Sequence, residues 1–206
     1  MFKLGRDNNK LWLVSIINCA GSTHYKGRNE KLKSCLFEIL DNIKLKGEES
    51  NFAVENTVIV LGDSGVRQIV GFNRPKSINE ANFEPFGIMS MKRALDEIKT
   101  LWNIQNSSGG SIAYIMLLSD GIFDYEAELA LEAFNSADGL KDVPRLAVCS
   151  DIDVDSDEYQ NISKFAGKKI FDTDSIQRIS NEITNEYLQN RKIESSNASE
   201  PDDEYI

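Results

Sequence analysis

Residues 112–118, Ile-Ala-Tyr-Ile-Met-Leu-Leu, are apolar at nearly every position, and residues 11–17, Leu-Trp-Leu-Val-Ser-Ile-Ile, are almost as continuous. Runs this short leave no polar face for water, the pattern of a parallel strand covered on both sides. Shorter β-rich runs occupy residues 57–61, 66–70, 145–149 and 169–171. Two of them flank Gly62-Asp-Ser-Gly65, which marks a hairpin and an antiparallel edge.

Between the strands the apolar period changes. Leu32, Leu36, Ile39, Leu40 and Ile43 recur at three- and four-residue spacing, as do Met91, Ala94, Leu95, Ile98, Leu101 and Trp102. Each set draws one stripe down a helix. A break is expected at Asn106-Ser-Ser-Gly-Gly110, and a third helix over residues 125–135. Ser156-Asp-Glu158 should cap a fourth through Phe165, stopped by Gly167, and Ile176, Ile179, Ile183 and Tyr187 should face inward from a last one. Strands alternating with helices imply an α/β fold with a mainly parallel sheet, helices on both faces and one antiparallel edge strand.

At 206 residues and 41% hydrophobic, the chain can bury one sizeable core. Residues 1–192 are read as one domain and 193–206 as an acidic, disordered tail, in which Tyr205 and Ile206 form a possible docking anchor. A net charge of −10 argues against nucleic acid or an anionic membrane as partner. No apolar run is long enough to cross a bilayer, and the first ten residues lack a signal-peptide core, so the expectation is a cytoplasmic protein. Cys19, Cys35 and Cys149 form no Cys-x-x-Cys pair and are expected to be reduced.

Function should reside at two strand ends. Asn18-Cys-Ala-Gly-Ser22 follows the first strand, and Ser119-Asp120-Gly121 follows the run at 112–118. In open α/β sheets, ligands bind outside the carboxyl ends of the strands. These residues, with Phe86-Gly-Ile-Met89-Ser90-Met91 before the second helix, resemble a von Willebrand factor type A (VWA) domain. They are most similar to compact bacterial VWA proteins of the tellurite-resistance, TerY-like group. That resemblance implies a Rossmann-like three-layer sandwich and a metal-ion-dependent adhesion site built from Asp-x-Ser-Gly-Ser, a threonine and a second Asp. Here the corresponding residues are Asn18, Ala20 and Ser22, then Met89 (Ser90 if the match shifts by one), then Asp120.

Mg²⁺ seldom surrenders water without anionic ligands. With an amide for one carboxylate and a methyl for one hydroxyl, the residual set Ser22 and Asp120 is expected to hold Mg²⁺ weakly or not at all. Asn18 and Ser22 could then satisfy Asp120 directly. The resemblance further implies a non-enzymatic module that binds another protein, such as a kinase or phosphatase of a bacterial stress-response system. Partner contacts are expected from Asn18, Ser22, Thr23, His24, Phe86, Ile88, Met89, Ser90, Asp120 and Phe123, with Phe83 and Tyr125 extending an apolar rim.

Two alternatives stay open. One is a metal-dependent binder using Ser22, Ser90 and Asp120. The other is a small hydrolase, for which Ser22 or Cys19 with His24 is the only nucleophile and base on offer. Asp151, Asp153 and Asp155 lack the glycine and glutamate of a calcium loop, and no phosphate-loop pattern occurs.

Overall fold

The computed structural model describes residues 9–63, 65–108 and 112–197. Six strands form one sheet in the order β3-β2-β1-β4-β5-β6. They are β1 (Lys10–Asn18), β2 (Ala53–Gly62), β3 (Gly65–Gly71), β4 (Tyr114–Ser119), β5 (Arg145–Cys149) and β6 (Ile170–Asp172). All neighbours pair parallel except β2 and β3, whose antiparallel hairpin makes β3 the edge. The architecture is the expected three-layer α/β sandwich.

Alternation along the strands divides the core in two. Trp12, Val14 and Ile16 with Ile115 and Leu117 face a layer made by α2 (Met91–Ser108), α3 (Ala127–Asn135) and α4 (Asp157–Ala166). Leu11, Leu13 and Ile17 with Met116 and Leu118 face α1 (Arg28–Ser50) and α5 (Ile176–Asn197). Each stripe read from sequence lands on one of these layers. Every side chain of that size removed from water contributes about 1.5–3 kcal/mol before entropy is charged against it.

Helix ends follow local chemistry. Ser156 caps α4 by accepting from the Tyr159 amide at 3.2 Å, and Gly167 ends it at φ +61°. Helix α5 runs on to Asn197, past the boundary expected after residue 192. Ser64 of the hairpin turn, residues 109–111 with Gly109 and Gly110 of the expected helix break, and residues 198–206 with Tyr205 and Ile206 lie outside the described residues. Among the described residues, no helix is long and apolar enough to cross a membrane.

Candidate functional site

Strands β1 and β4 run side by side with Ile17 opposite Leu118, so both chains leave the sheet at the same edge. This is where the strand order reverses, with β2 and β3 on one side and β5 and β6 on the other. A crevice opens at such a switch point. Asn18 closes β1 and Asp120 follows β4; both are wholly buried.

The Asn18 side chain bridges the two strand ends. Its Nδ2 donates to Asp120 Oδ1 at 2.8 Å and more weakly to Ser119 Oγ at 3.4 Å. Its Oδ1 accepts from the Ala20 amide at 2.9 Å. Both partners fix the amide's orientation, because a flip would set oxygen against oxygen and NH₂ against N–H. Asp120 Oδ1 also accepts from the Ile122 amide at 3.3 Å, and Ser119 Oγ from the Gly121 amide at 3.1 Å. Asp120 Oδ2 is buried without a partner among the described residues. Asn18 thus bonds one oxygen of Asp120 and leaves the other unpartnered; the hydroxyl within reach of its amide belongs to Ser119, not Ser22.

A third segment closes the site. The Phe86 amide donates to the Cys19 carbonyl at 2.9 Å, and the Gly21 amide to the Gly87 carbonyl at 2.9 Å. Gly87 sits at φ +71°, and a Cβ there would lie 2.4 Å from the Asp63 backbone, so only glycine fits. Arg67, on the edge strand, completes the clamp. Its guanidinium donates to the carbonyls of Glu84 and Phe86 and to Asp63 Oδ2. Sequence reasoning missed this residue, since one arginine in an edge strand reads as ordinary solvated charge.

The expected partner-binding residues divide by exposure. Phe86 and Ile88 stand 67% and 72% exposed, and His24 is exposed as well. Met89, at 2%, is a correction: it points into the core beside Ala20, in the cluster that also holds Met91. Phe83 is buried too, its ring edge-on to Phe37 at 5.7 Å. Thr23 is buried, with its hydroxyl bonded to the Ala20 carbonyl at 2.8 Å, so it shapes the turn and offers no surface. Ser90 precedes α2 and accepts from the Arg93 amide at 3.5 Å as a weak cap. Ser22 and Phe123 are half-buried, Phe123 against the α2–α4 core. Tyr25 (62%), Ile122 and Tyr125 add exposed apolar surface at this edge. Of these only Tyr125 stood out in sequence, because isolated apolar residues in loops carry no period.

The residues present do not fit the cation of an adhesion site. Of the oxygens such an ion needs, Ala20 and Met89 supply none; both belong to the apolar core. Asn18 turns donor hydrogens, not an oxygen, toward Asp120. Asp120 Oδ2 and, further along the same loop, Asp124 Oδ1 are buried acceptors without a partner among the described residues, too few for a hard dication that requires several oxygens. Among the described residues, no three histidine, cysteine or acidic side chains converge as a metal-holding group.

The nucleophile and base offered by the sequence are not joined by a hydrogen bond among the described residues. Cys19 is wholly buried, and burial pushes its thiol up to about 12, far from a reactive thiolate. His24 projects outward and makes no hydrogen bond to Ser22 or Cys19 among the described residues.

No protein-family model matches the chain, and no curated protein resembles it in sequence. Solved structures do resemble it in shape. Proximal thread matrix protein 1 from the mussel byssus, with its metal-ion-dependent adhesion motif occupied by zinc, superposes at a TM-score of 0.56 with 11% identity, over 90% of this chain and 47% of that one. The manganese-loaded TRAP protein of Plasmodium vivax gives 0.56 at 19% identity, over 78% and 64%. The pilus adhesin SpaC of Lactobacillus rhamnosus GG gives 0.55 at 14%, over 89% and 30%. This chain spans less than half the length of the byssus protein and under a third of the adhesin. The fold is therefore that of a VWA domain, and at such identities the likeness establishes the fold alone.

Proposed function

We propose that this protein is a non-enzymatic, VWA-type interaction module that recognises another protein without a bridging metal. The observation that carries the reading is the 2.8 Å bond from Asn18 to Asp120. It sets an amide where the fold's binding chemistry calls for a cation. Recognition then falls to the exposed side chains around the strand ends, foremost Phe86, Ile88 and Tyr125. The VWA-type structures that match this fold, among them a byssus matrix protein and a pilus adhesin, support a protein as the partner. On the sequence resemblance to TerY-like proteins, we propose as that partner a kinase, a phosphatase or another member of a bacterial stress-response system in the cytoplasm.

Capture of partners from native-host lysate, with crosslinks mapped by mass spectrometry, tests this. A partner retained equally in EDTA and in Mg²⁺, and crosslinked near residues 86–88 or 122–125, is the expected result. Retention only with divalent cations would overturn metal independence. Turnover of a hydrolase substrate, lost in His24→Ala, would overturn the non-enzymatic reading.

A further inference from the structure

The apolar surface at the strand ends is not electrically uniform. After β4 the chain exposes Ile122 (44%) and Tyr125 (94%), and after β5 it exposes Val154 (60%). The loop after β4 packs against α4, the helix that the loop after β5 leads into. The Gly121 carbonyl accepts from Asn161 Nδ2 at 3.2 Å, and a Cβ on Gly121 would lie 2.4 Å from the Glu158 carbonyl. Tyr125 sits between Asp124 and Glu126, and Val154 between Asp153 and Asp155. Asp157 and Glu158 follow in the first turn of α4.

None of these six carboxylates forms an ion pair among the described residues. The nearest cations are held at the start of the loop after β5 and on α4. Lys31 pairs with Asp151 Oδ2 at 2.7 Å, Arg28 donates to the Asp151 carbonyl, and Lys164 pairs with Glu128 at 2.7 Å. Across the crevice the surface differs: Arg67 donates to the Phe86 carbonyl, and His24 and Lys26 lie on the turn after β1. Exposed apolar side chains ringed by uncompensated negative charge attract a partner that brings apolar groups together with cations, and repel one that brings carboxylates.

We propose that the surface formed by the loops after β4 and β5 docks a partner-protein segment in which lysine or arginine flanks an apolar anchor. This deepens the interaction-module reading and rests on it. Tyr125 is the anchor's contact, since it buries the most new area when covered. The carboxylates of the two loops set the sign of the partner and its salt dependence. Charge preference is thereby the reverse of a site that recruits a carboxylate through a cation.

Amide chemical shifts of the full chain provide the test, with three peptides of roughly twelve residues that share leucine and tyrosine positions and differ only in carrying lysine, glutamate or serine between them. The lysine peptide should move amides 122–126 and 153–158. Its binding should weaken at least about fivefold when salt is raised from about 0.05 to 0.3 M, and the glutamate peptide should leave these amides unmoved. Tyr125→Ala should weaken lysine-peptide binding by about tenfold. Asp153→Asn with Asp155→Asn should reduce the salt dependence measurably, by roughly a third, while the fold is retained.

Equal shifts from the serine or glutamate peptide would overturn the proposal. So would shifts confined to residues 86–90, or no shift with any peptide. Partner capture in EDTA reports on the interaction-module reading separately, so that reading can survive the loss of this one.

Discussion

Replacing Asn18 with aspartate probes the site by one atom. In the native chain Nδ2 lies 2.8 Å from Asp120 Oδ1, and a carboxyl oxygen in its place faces a second carboxyl at the same distance. Two charges that close would repel by about 6 kcal/mol at an effective dielectric of 20. The new carboxyl would hold a proton instead, its folded value raised above the unfolded one near about 3.9. At about 1.36 kcal/mol per unit, keeping that proton costs roughly 4 kcal/mol at pH 7 and roughly 1.5 kcal/mol at pH 5.

The sign follows from proton uptake. The folded variant binds more protons than the unfolded one, so its stability rises as pH falls through the window between the raised folded value and the unfolded one. Urea unfolding of both proteins near pH 7 and pH 5 measures this. A loss of about 4 kcal/mol at the higher pH, mostly recovered at the lower, is expected. A variant as stable as the native chain at pH 7, or one whose deficit ignores pH, refutes the reasoning.

Other outcomes follow from the same contacts. Asn18→Asp combined with Ala20→Ser should gain stability in millimolar Mn²⁺, read as a rise in Tm that the native chain lacks. Gly87→Ala forces a Cβ to 2.4 Å from the Asp63 backbone at positive φ, and should cost roughly 1–3 kcal/mol in chemical unfolding. Arg67→Ala frees the Glu84 and Phe86 carbonyls, so the Asp63 and Phe86 amides should exchange hydrogen faster while the strand amides do not. Burial pushes the Cys19 and Cys35 thiols up to about 12 and Cys149 to about 11, so a thiol reagent near pH 8 should label none until urea is added. Because the fold favours the neutral thiols, its stability should decline only as pH climbs above the ordinary value of 9.0.

Strands and helix stripes were legible because burial imposes a period, and each layer of the sandwich repeats it. The two strand ends of the site were legible for a related reason: an apolar run must stop where the sheet stops, and Asn18 and Asp120 stand at those stops. The segment before α2 was not. Its path is fixed by Arg67, by Gly87 and by hydrogen bonds to Cys19 and Gly21, all distant in sequence. Without that path, Phe83, Met89 and Phe86 look alike, yet two pack inward and one faces water. The end of α5 was not legible for a different reason: helix continuation through polar residues leaves no apolar mark.

Diffraction at the manganese edge from crystals soaked in MnCl₂ bears most directly on the crevice between β1 and β4. Intact contact between the Asn18 amide and Asp120, with no anomalous peak beside Ser22 or Asp120, is the predicted result. An ordered ion ligated by those two side chains, with Asn18 swung away, would contradict it.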